Sequence, residues 1–489
     1  MVIRYREVPG RYLDSIVLMA IGRDLEARKG VRKAGVMVMT KENLETFRTI
    51  GFDLPAPAGS SSIWVAVEAE DGKTADDAVA FALAEMDKDQ EMVKGHKRVT
   101  LEALGSGYGP DDFPVLFIST PEEYVEGIAN TALSEGVNLH IFTSNVPADV
   151  EKRLKEKGRK AGLLVMGPDA GTTIIHGKGL GFSNRIRFGE IGIVGSSGTG
   201  IQELSVLLHA AGLGVSSALG VGSNDMKKEI GGISTLQALE LFDDVRTVFV
   251  IAKKPDPGVR KAVIDRIKSR PSVFVSLGDS VDERIGKTYH TGSIDDAVNA
   301  VLRDNGKKEI PGPAAPNVTA PATGRWLRGY FVGGSLCYQA QAVLKAGGTE
   351  VYSNAPLDGA HALPRDWEKT SVCIDTGAEE YVKGKPHPMI DPKARNALLV
   401  KESARPDVAV LLFDVLLGYG SAMDPLEGLG GVAGTGKGPV LVTSICGTPD
   451  DKQGYDRIRK GLDGLGAVVL PTSGQAAWYA AQVMKGVKR

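Results

Sequence analysis

Ile191-Gly192-Ile193-Val194-Gly195-Ser196-Ser197-Gly198-Thr199-Gly200 runs directly into the amphipathic stretch Ile201 to Ala211. A short apolar strand, a turn of glycine and hydroxyl residues and a helix make one βα unit. In such a unit the helix start points unpaired backbone N–H groups, and the positive end of the helix dipole, at one place, which suits a phosphate or a carboxylate. Ser196, Ser197 and Thr199 add hydroxyl donors. The plainer alternative is that these residues only cap a helix in a tight turn.

A second turn of the same kind lies at Gly329-Tyr330-Phe331-Val332-Gly333-Gly334-Ser335-Leu336-Cys337, ahead of a helix over Gln339 to Lys345. Two such turns, each opening a new block, favour a pair of helix N-termini converging on one anion.

Outward from these turns, β-branched runs alternate with amphipathic runs, as in VLFIST, NLHIFTS, VFVIAKK and SVFVSLG. That alternation predicts an α/β chain with mainly parallel sheets. At 489 residues several cores are expected, and the pattern divides at residues 1–95, 96–188, 189–306 and 326–489. Residues 307–325, with KKEIPGPAAPNVTAPAT, read as a Pro-rich linker. In the first block the expected elements are strands near Val2 to Tyr5, Ala34 to Met39 and Ile63 to Val67. Helices are expected near Leu13 to Arg28, from Lys41 and over Ala75 to Met86, with a connector over GHKRVTLEALGSGYGPDDFP.

Glycine supplies 61 of the 489 residues, well above its usual share of about 7%, as many tight βα turns require. The 58 basic and 60 acidic residues are spread evenly, which argues against a nucleic-acid partner. Cys337, Cys373 and Cys446 have no CxxC spacing, so neither a disulfide framework nor a metal centre is expected and the compartment is read as cytoplasmic. The most apolar stretch, Val408 to Tyr419, is short and holds Asp414, which excludes a membrane span.

Other segments carry weaker signals. Lys385-Pro386-His387-Pro388-Met389-Ile390-Asp391-Pro392 joins a cation, an imidazole and a carboxylate on a backbone stiffened by proline, with His387 and Asp391 as catalytic candidates; a rigid surface turn is the alternative. GVAGTGKG at Gly431 to Gly438 resembles a P-loop but lacks the Ser or Thr that binds magnesium and precedes a strand. GSSGTGI followed by Asp225 suggests a dinucleotide turn, yet the spacing is not GxGxxG, and Tyr381 and Lys385 sit where Pro386 bars a catalytic helix. His96, His140, His176, His209, His290 and His361 have no metal spacing.

From about Val115 to Leu302 the chain resembles the α subunit of succinyl-CoA synthetase. MGPDAG at Met166 to Gly171 looks like its GPN turn, GIVGSSGT like its phosphate loop, and LGVGSN at Leu219 to Asn224 like its VGIGGD stretch. From Leu327 onward it resembles the CoA-ligase domain of the β subunit, with GGSL at the second turn and VLLFDVLLGYG at Val410 to Gly420. The whole chain, through LLVMGPDAGTT, GTGIQEL, EIGGIS and KPHPMIDP, is similar to the FdrA family. The resemblance implies a small N-terminal α/β domain, a Rossmann-like CoA-binding-type domain over 96–188 and two flavodoxin-like domains over 189–306 and 326–489.

In the synthetases two helix starts grip the phosphate of a phosphohistidine. The resemblance carries that role to Ser196, Ser197, Gly198, Thr199 and Gly200 and to Gly334 and Ser335, with Gly167, Pro168, Asp169 and Lys385 as further pocket residues. The phosphohistidine does not carry over: about ten residues separate the strand Ser272 to Leu277 from KTYHTGSIDDAV, and His290 falls in the next strand. The first βα turn offers only VPGRYLD in place of a glycine-rich CoA loop, and no ATP-grasp domain is discerned.

FdrA-type proteins are linked to acyl-CoA synthetases by fold and, in allantoin degradation, to carbamoyl transfer on oxamate with two small partner subunits. A phosphate pocket without a phosphohistidine implies carbamoyl phosphate or phosphate as ligand and a small-molecule acceptor, with coenzyme A left open. An acyl-CoA ligase with its phosphohistidine step on another subunit, and a non-catalytic anion-binding scaffold, are the alternatives.

Overall fold

The computed structural model describes residues 1–9, 13, 15–55, 62–93, 113–383, 385–432 and 438–487. Most of the expected connector over 95–114, and Lys437 with the core of its loop, lie outside the described residues. The chain divides into two units, residues 1–99 with 383–386 and residues 100–382 with 387–489.

In the first unit the strand Ile63–Ala69 runs between Val2–Val8 and Val31–Val38 and is antiparallel to both. The expectation of mainly parallel sheets does not extend to this block. Its two outer strands are joined by the helix Ser15–Glu26 as in a parallel crossover, but the later strand is inserted between them and runs the opposite way. The central strand is buried on both sides. Val65 and Val67 pack with Leu18, Leu25 and Ala78, while Trp64 and Ala66 pack with Phe47 and Phe52. Burial on both faces explains a sequence that is apolar but for Glu68, whose carboxylate is paired with Arg32 and Lys33.

The second unit holds three sheets among the described residues. Val115–Ile118, Asn138–Ile141 and Val165–Met166 form a small parallel sheet with the helices Glu122–Ser134 and Ala148–Ala161. Five parallel strands make the centre of the next sheet, ordered Val215–Gly220, Ile191–Gly195, Thr247–Lys253, Ser272–Leu277 and Thr288–Thr291. Counted along the chain, that order is 2-1-3-4-5, the flavodoxin-like winding. The hairpin Thr172–Ile175 and Lys178–Gly181 extends one edge, where Ala218 pairs antiparallel with Ile174.

The last sheet is wholly parallel and repeats the same winding, in the order Val372–Asp375, Trp326–Phe331, Val408–Leu416, Val440–Cys446 and Val468–Leu470. Doubly wound sheets bind ligands at the carboxyl ends of the strands, where the winding reverses between the first and third strands. Those two reversals follow Gly195 and Phe331, and both glycine turns are at them. Residues 307–325 form no regular element; Ile310 and Val318 nonetheless pack on the two adjacent cores, and Gln475 donates to the Pro311 carbonyl. No helix of the described residues is long and apolar enough to cross a membrane.

Both turn helices begin earlier than their apolar pattern, at Gly198–Ala210 and Gly334–Ala346. Glycine and serine disfavour helix interiors, but the first turn has no intrahelical N–H bonds to lose.

Candidate functional site

The two helix starts meet. Ser197 is the N-cap residue of its helix but makes no capping hydrogen bond to it. Its hydroxyl donates to Ser335 Oγ at 2.6 Å, and the Ser335 N–H donates to Thr199 Oγ1 at 3.2 Å. The hydroxyls therefore serve the opposite helix, which local capping does not account for.

A cavity of ≈ 390 Å³ opens on this junction, lined by Ser196, Ser197, Gly198, Thr199, Gly334 and Ser335. Two more of its hydroxyls, Ser196 Oγ and Thr172 Oγ1, are buried without a hydrogen-bond partner. An unpaired buried hydroxyl costs free energy, so a lining that gathers two of them beside helix N-termini fits an anionic acceptor. Gly200 is set behind the lining: a Cβ there would lie 2.2 Å from Ser197 Oγ. Gly334 is equally confined, since its Cβ would lie 2.5 Å from Asp375 Oδ2.

Lys253, at the end of the third strand of its sheet, lines the same cavity as the first turn. Among the described residues its ammonium has no close ion pair or hydrogen bond; its charge acts on the carboxylates of Asp169 and Asp375. The sequence reading passed over Lys253. Its place at the carboxyl end of VFVIAKK was the available signal.

Asp169 also lines the cavity, and its backbone, like that of Asn145, is left-handed, with φ of 58° and 62°. Burial raises the Asp169 pKa, against the Ser223 hydroxyl and the Lys253 and Lys227 charges. Burial raises that of Asp375 too, against Lys253 and the Gly377 N–H. Gly167 and Pro168 do not line the cavity. They form the tight turn that presents Asp169: a Cβ on Gly167 would lie 2.3 Å from the Ile141 carbonyl oxygen.

His387 is on the cavity wall, and burial lowers its pKa to about 4. Asp391 is not. Its carboxylate accepts the Lys393 N–H at 3.1 Å and so serves the start of the helix Lys393–Ser403, whose N-cap, Pro392, has no capping side chain. Lys385 groups with the first unit and is absent from the lining.

The second turn contains a carboxylate of its own. Asp414, buried in the third strand of its sheet, accepts the Val332 and Gly333 N–H groups at 2.8 Å each. Arg395 lies 3.5 Å from it. Burial pushes the Asp414 pKa up to about 6, against Arg395 and the two N–H donors.

Asp225 is unavailable for a ribose. It is buried against Lys155 at 2.8 Å and accepts the Ser234 and Thr235 N–H groups. His290, in the strand Thr288–Thr291, is buried between Ser276 and Glu283 at 2.9 and 3.0 Å.

A doubly wound pair of sheets with facing glycine turns at their winding reversals defines the succinyl-CoA synthetase-like class. The CoA-ligase family model matches residues 330–483, and an AllF heavy metal-associated domain model matches residues 1–100. The uncharacterized protein YahF of Escherichia coli (strain K12) is 30% identical over 95% of each chain, and this chain belongs to its family. The alpha subunit of succinate-CoA ligase (ADP-forming) from Methanothermobacter thermautotrophicus is 29% identical over 27% of this chain and 45% of its own. Among solved structures, an apo acetyl-coenzyme A synthetase of Ca. Korarchaeum cryptofilum is 15% identical over 76% of this chain and 83% of its own, at a TM-score of 0.32.

A heavy-metal site does not fit the first unit. Residues 1–100 contain no cysteine and one histidine, His96, so the thiolate ligands that soft metals favour are missing. Among the described residues no cluster of His, Cys, Asp and Glu could hold a metal ion.

Proposed function

We propose that the chain is the large subunit of an FdrA-type enzyme that holds an acyl phosphate, of which carbamoyl phosphate is the smallest amide-bearing kind, at the junction of its two helix starts. The observation that carries this reading is the 2.6 Å contact between Ser197 and Ser335, set beside the unpaired hydroxyls of Ser196 and Thr172. Four hydroxyls, the first helix N-terminus and the Lys253 ammonium surround one volume that suits a phosphate dianion.

The reaction proposed is carbamoyl transfer between phosphate and the amide of a small acid such as oxamate. The amide nitrogen attacks the carbamoyl carbon and forms the C–N bond. The bond from that carbon to the phosphate oxygen breaks, and its electron pair and the amide proton leave as hydrogen phosphate. The helix start and Lys253 stabilise the charge that collects on the departing oxygen. The same groups assist the reverse step, in which phosphate attacks.

Phosphate and carbamoyl phosphate binding by calorimetry, and phosphate release with and without oxamate, test the reading on the chain alone and with smaller partner subunits. Absence of phosphate binding would sink it. An acyl-CoA ligase is the second reading, favoured by the CoA-ligase match over 330–483. It predicts release of phosphate only with ATP, coenzyme A and a carboxylic acid together.

A further inference from the structure

His387 is oriented by its own loop. Pro386 and Pro388 flank it, and the Phe182 ring lies 5.7 Å away with the two planes at 40°. Gly377 backs on the other edge so closely that a Cβ there would come within 2.5 Å of Nε2. The Met389 N–H donates to Nδ1 at 3.2 Å. A backbone N–H can only donate, so Nδ1 must present a lone pair, and the neutral ring then carries its proton on Nε2.

Nothing among the described residues receives that proton. Nε2 has no hydrogen-bond partner, is not among the buried unpaired atoms, and belongs to a ring that lines the same cavity as Ser196, Ser197 and Ser335. No carboxylate forms an ion pair with the ring among the described residues, so nothing there relays a proton as in an acid-base pair.

We propose that His387 is a neutral hydrogen-bond donor whose Nε2–H contacts the carbonyl oxygen of the bound acyl phosphate. This excludes the two roles usual for a histidine here. A general base or a phosphate-carrying nucleophile needs a lone pair on the nitrogen that has no partner in the fold, and that nitrogen holds the proton. No proton leaves the ring and no bond to it forms. The donor strengthens as charge grows on the carbonyl oxygen during attack. The charged groups that share the cavity are Asp169, Lys253 and Glu379, and Asp375 lies behind Gly377. Burial keeps the ring neutral, and a second proton would have to displace the Met389 N–H from Nδ1.

The assignment takes its ligand, but not its tautomer, from the acyl-phosphate reading. Full-length protein labelled with 15N-histidine, with His387→Gln to assign the signal, reports the tautomer directly in long-range 1H–15N spectra. The expected result is an Nε2-protonated ring that does not titrate between about pH 5.5 and 8 and whose Nε2 signal moves when carbamoyl phosphate is added. Nδ1 protonation, or a ring charged at neutral pH, overturns the proposal. So does an unmoved signal, and calorimetry then separates a bound ligand that misses His387 from an absent pocket. In turnover, His387→Ala should lose about a hundredfold in kcat, and His387→Gln, which restores an N–H donor, should recover about tenfold of it. Equal losses in both variants, with activity falling on an acidic limb near pH 6.5, would instead establish a general base.

Discussion

The two glycine turns occupy the same topological position in two sheets of the same winding, yet they differ in what the neighbouring third strand brings to them. Beyond Phe331 the third strand supplies Asp414, whose two oxygens accept the Val332 and Gly333 N–H groups. Beyond Gly195 the third strand ends in Lys253, which lines the same cavity as that turn. A carboxylate inside a turn satisfies it; an ammonium in the same cavity as a turn adds to its attraction for an anion. One turn is thus closed by the chain's own charge, and the other is open to a ligand. The second helix still reaches the cavity, through Gly334 and Ser335.

The largest break in this comparison should come from Asp414→Ala. It leaves two buried N–H groups unpaired and Arg395 as a buried cation without its partner, which should cost about 3–5 kcal/mol in denaturant unfolding. A loss below about 1 kcal/mol would mean that the second turn is not closed by Asp414. The same carboxylate should make stability fall as pH rises. Its folded pKa of about 6 is above the ordinary 3.8, so the folded state binds the proton more tightly, and stability is lost as pH climbs from about 4 to about 6. Asp295, whose pKa burial raises to about 7, adds a slope of the same sign over a wider window. Asp414→Asn should remove only the first part.

A smaller effect, confined to the open turn, is expected from Ser197→Ala. Losing one hydroxyl to a bound phosphate should weaken phosphate binding by about 1.5–2.7 kcal/mol, ten- to a hundredfold in Kd, with a stability loss of about 1 kcal/mol because the buried Ser335 hydroxyl loses its partner. Ser335→Ala should do the same, and the double variant should cost less than the sum, because each hydroxyl positions the other. Strict additivity in titration calorimetry would separate the two helix starts.

Much of this site was readable from residue order. The paired turns are local patterns, and strands followed by glycine and hydroxyl residues signal a helix start wherever they fold. What sequence order hides is the partner that a distant strand delivers. Asp414 lies inside VLLFDVLLGYG, 82 positions from the Val332 N–H it receives, and only the parallel register of the sheet brings them together. Asp391 misled for a related reason. Next to a proline-initiated helix, a carboxylate has local backbone work to do, and a polar loop does not reveal which of its groups turns inward. The antiparallel first sheet was hidden because apolar runs predict strands but not their direction.

The smallest and sharpest test is Ser196→Ala. Ser196 Oγ is buried and has no hydrogen-bond partner, whereas a hydroxyl that merely caps a helix would be bonded to it. Removing an unpaired buried hydroxyl ends its desolvation cost, so stability without ligand should stay level or rise by up to about 1 kcal/mol. If the hydroxyl instead waits for a ligand, phosphate affinity should fall by about 1 kcal/mol, roughly fivefold in Kd. The two readouts are therefore expected to move in opposite directions, which neither a capping residue nor a packing residue produces. A stability loss with unchanged phosphate affinity would make Ser196 a structural residue and would leave the open turn with one fewer donor than its geometry suggests.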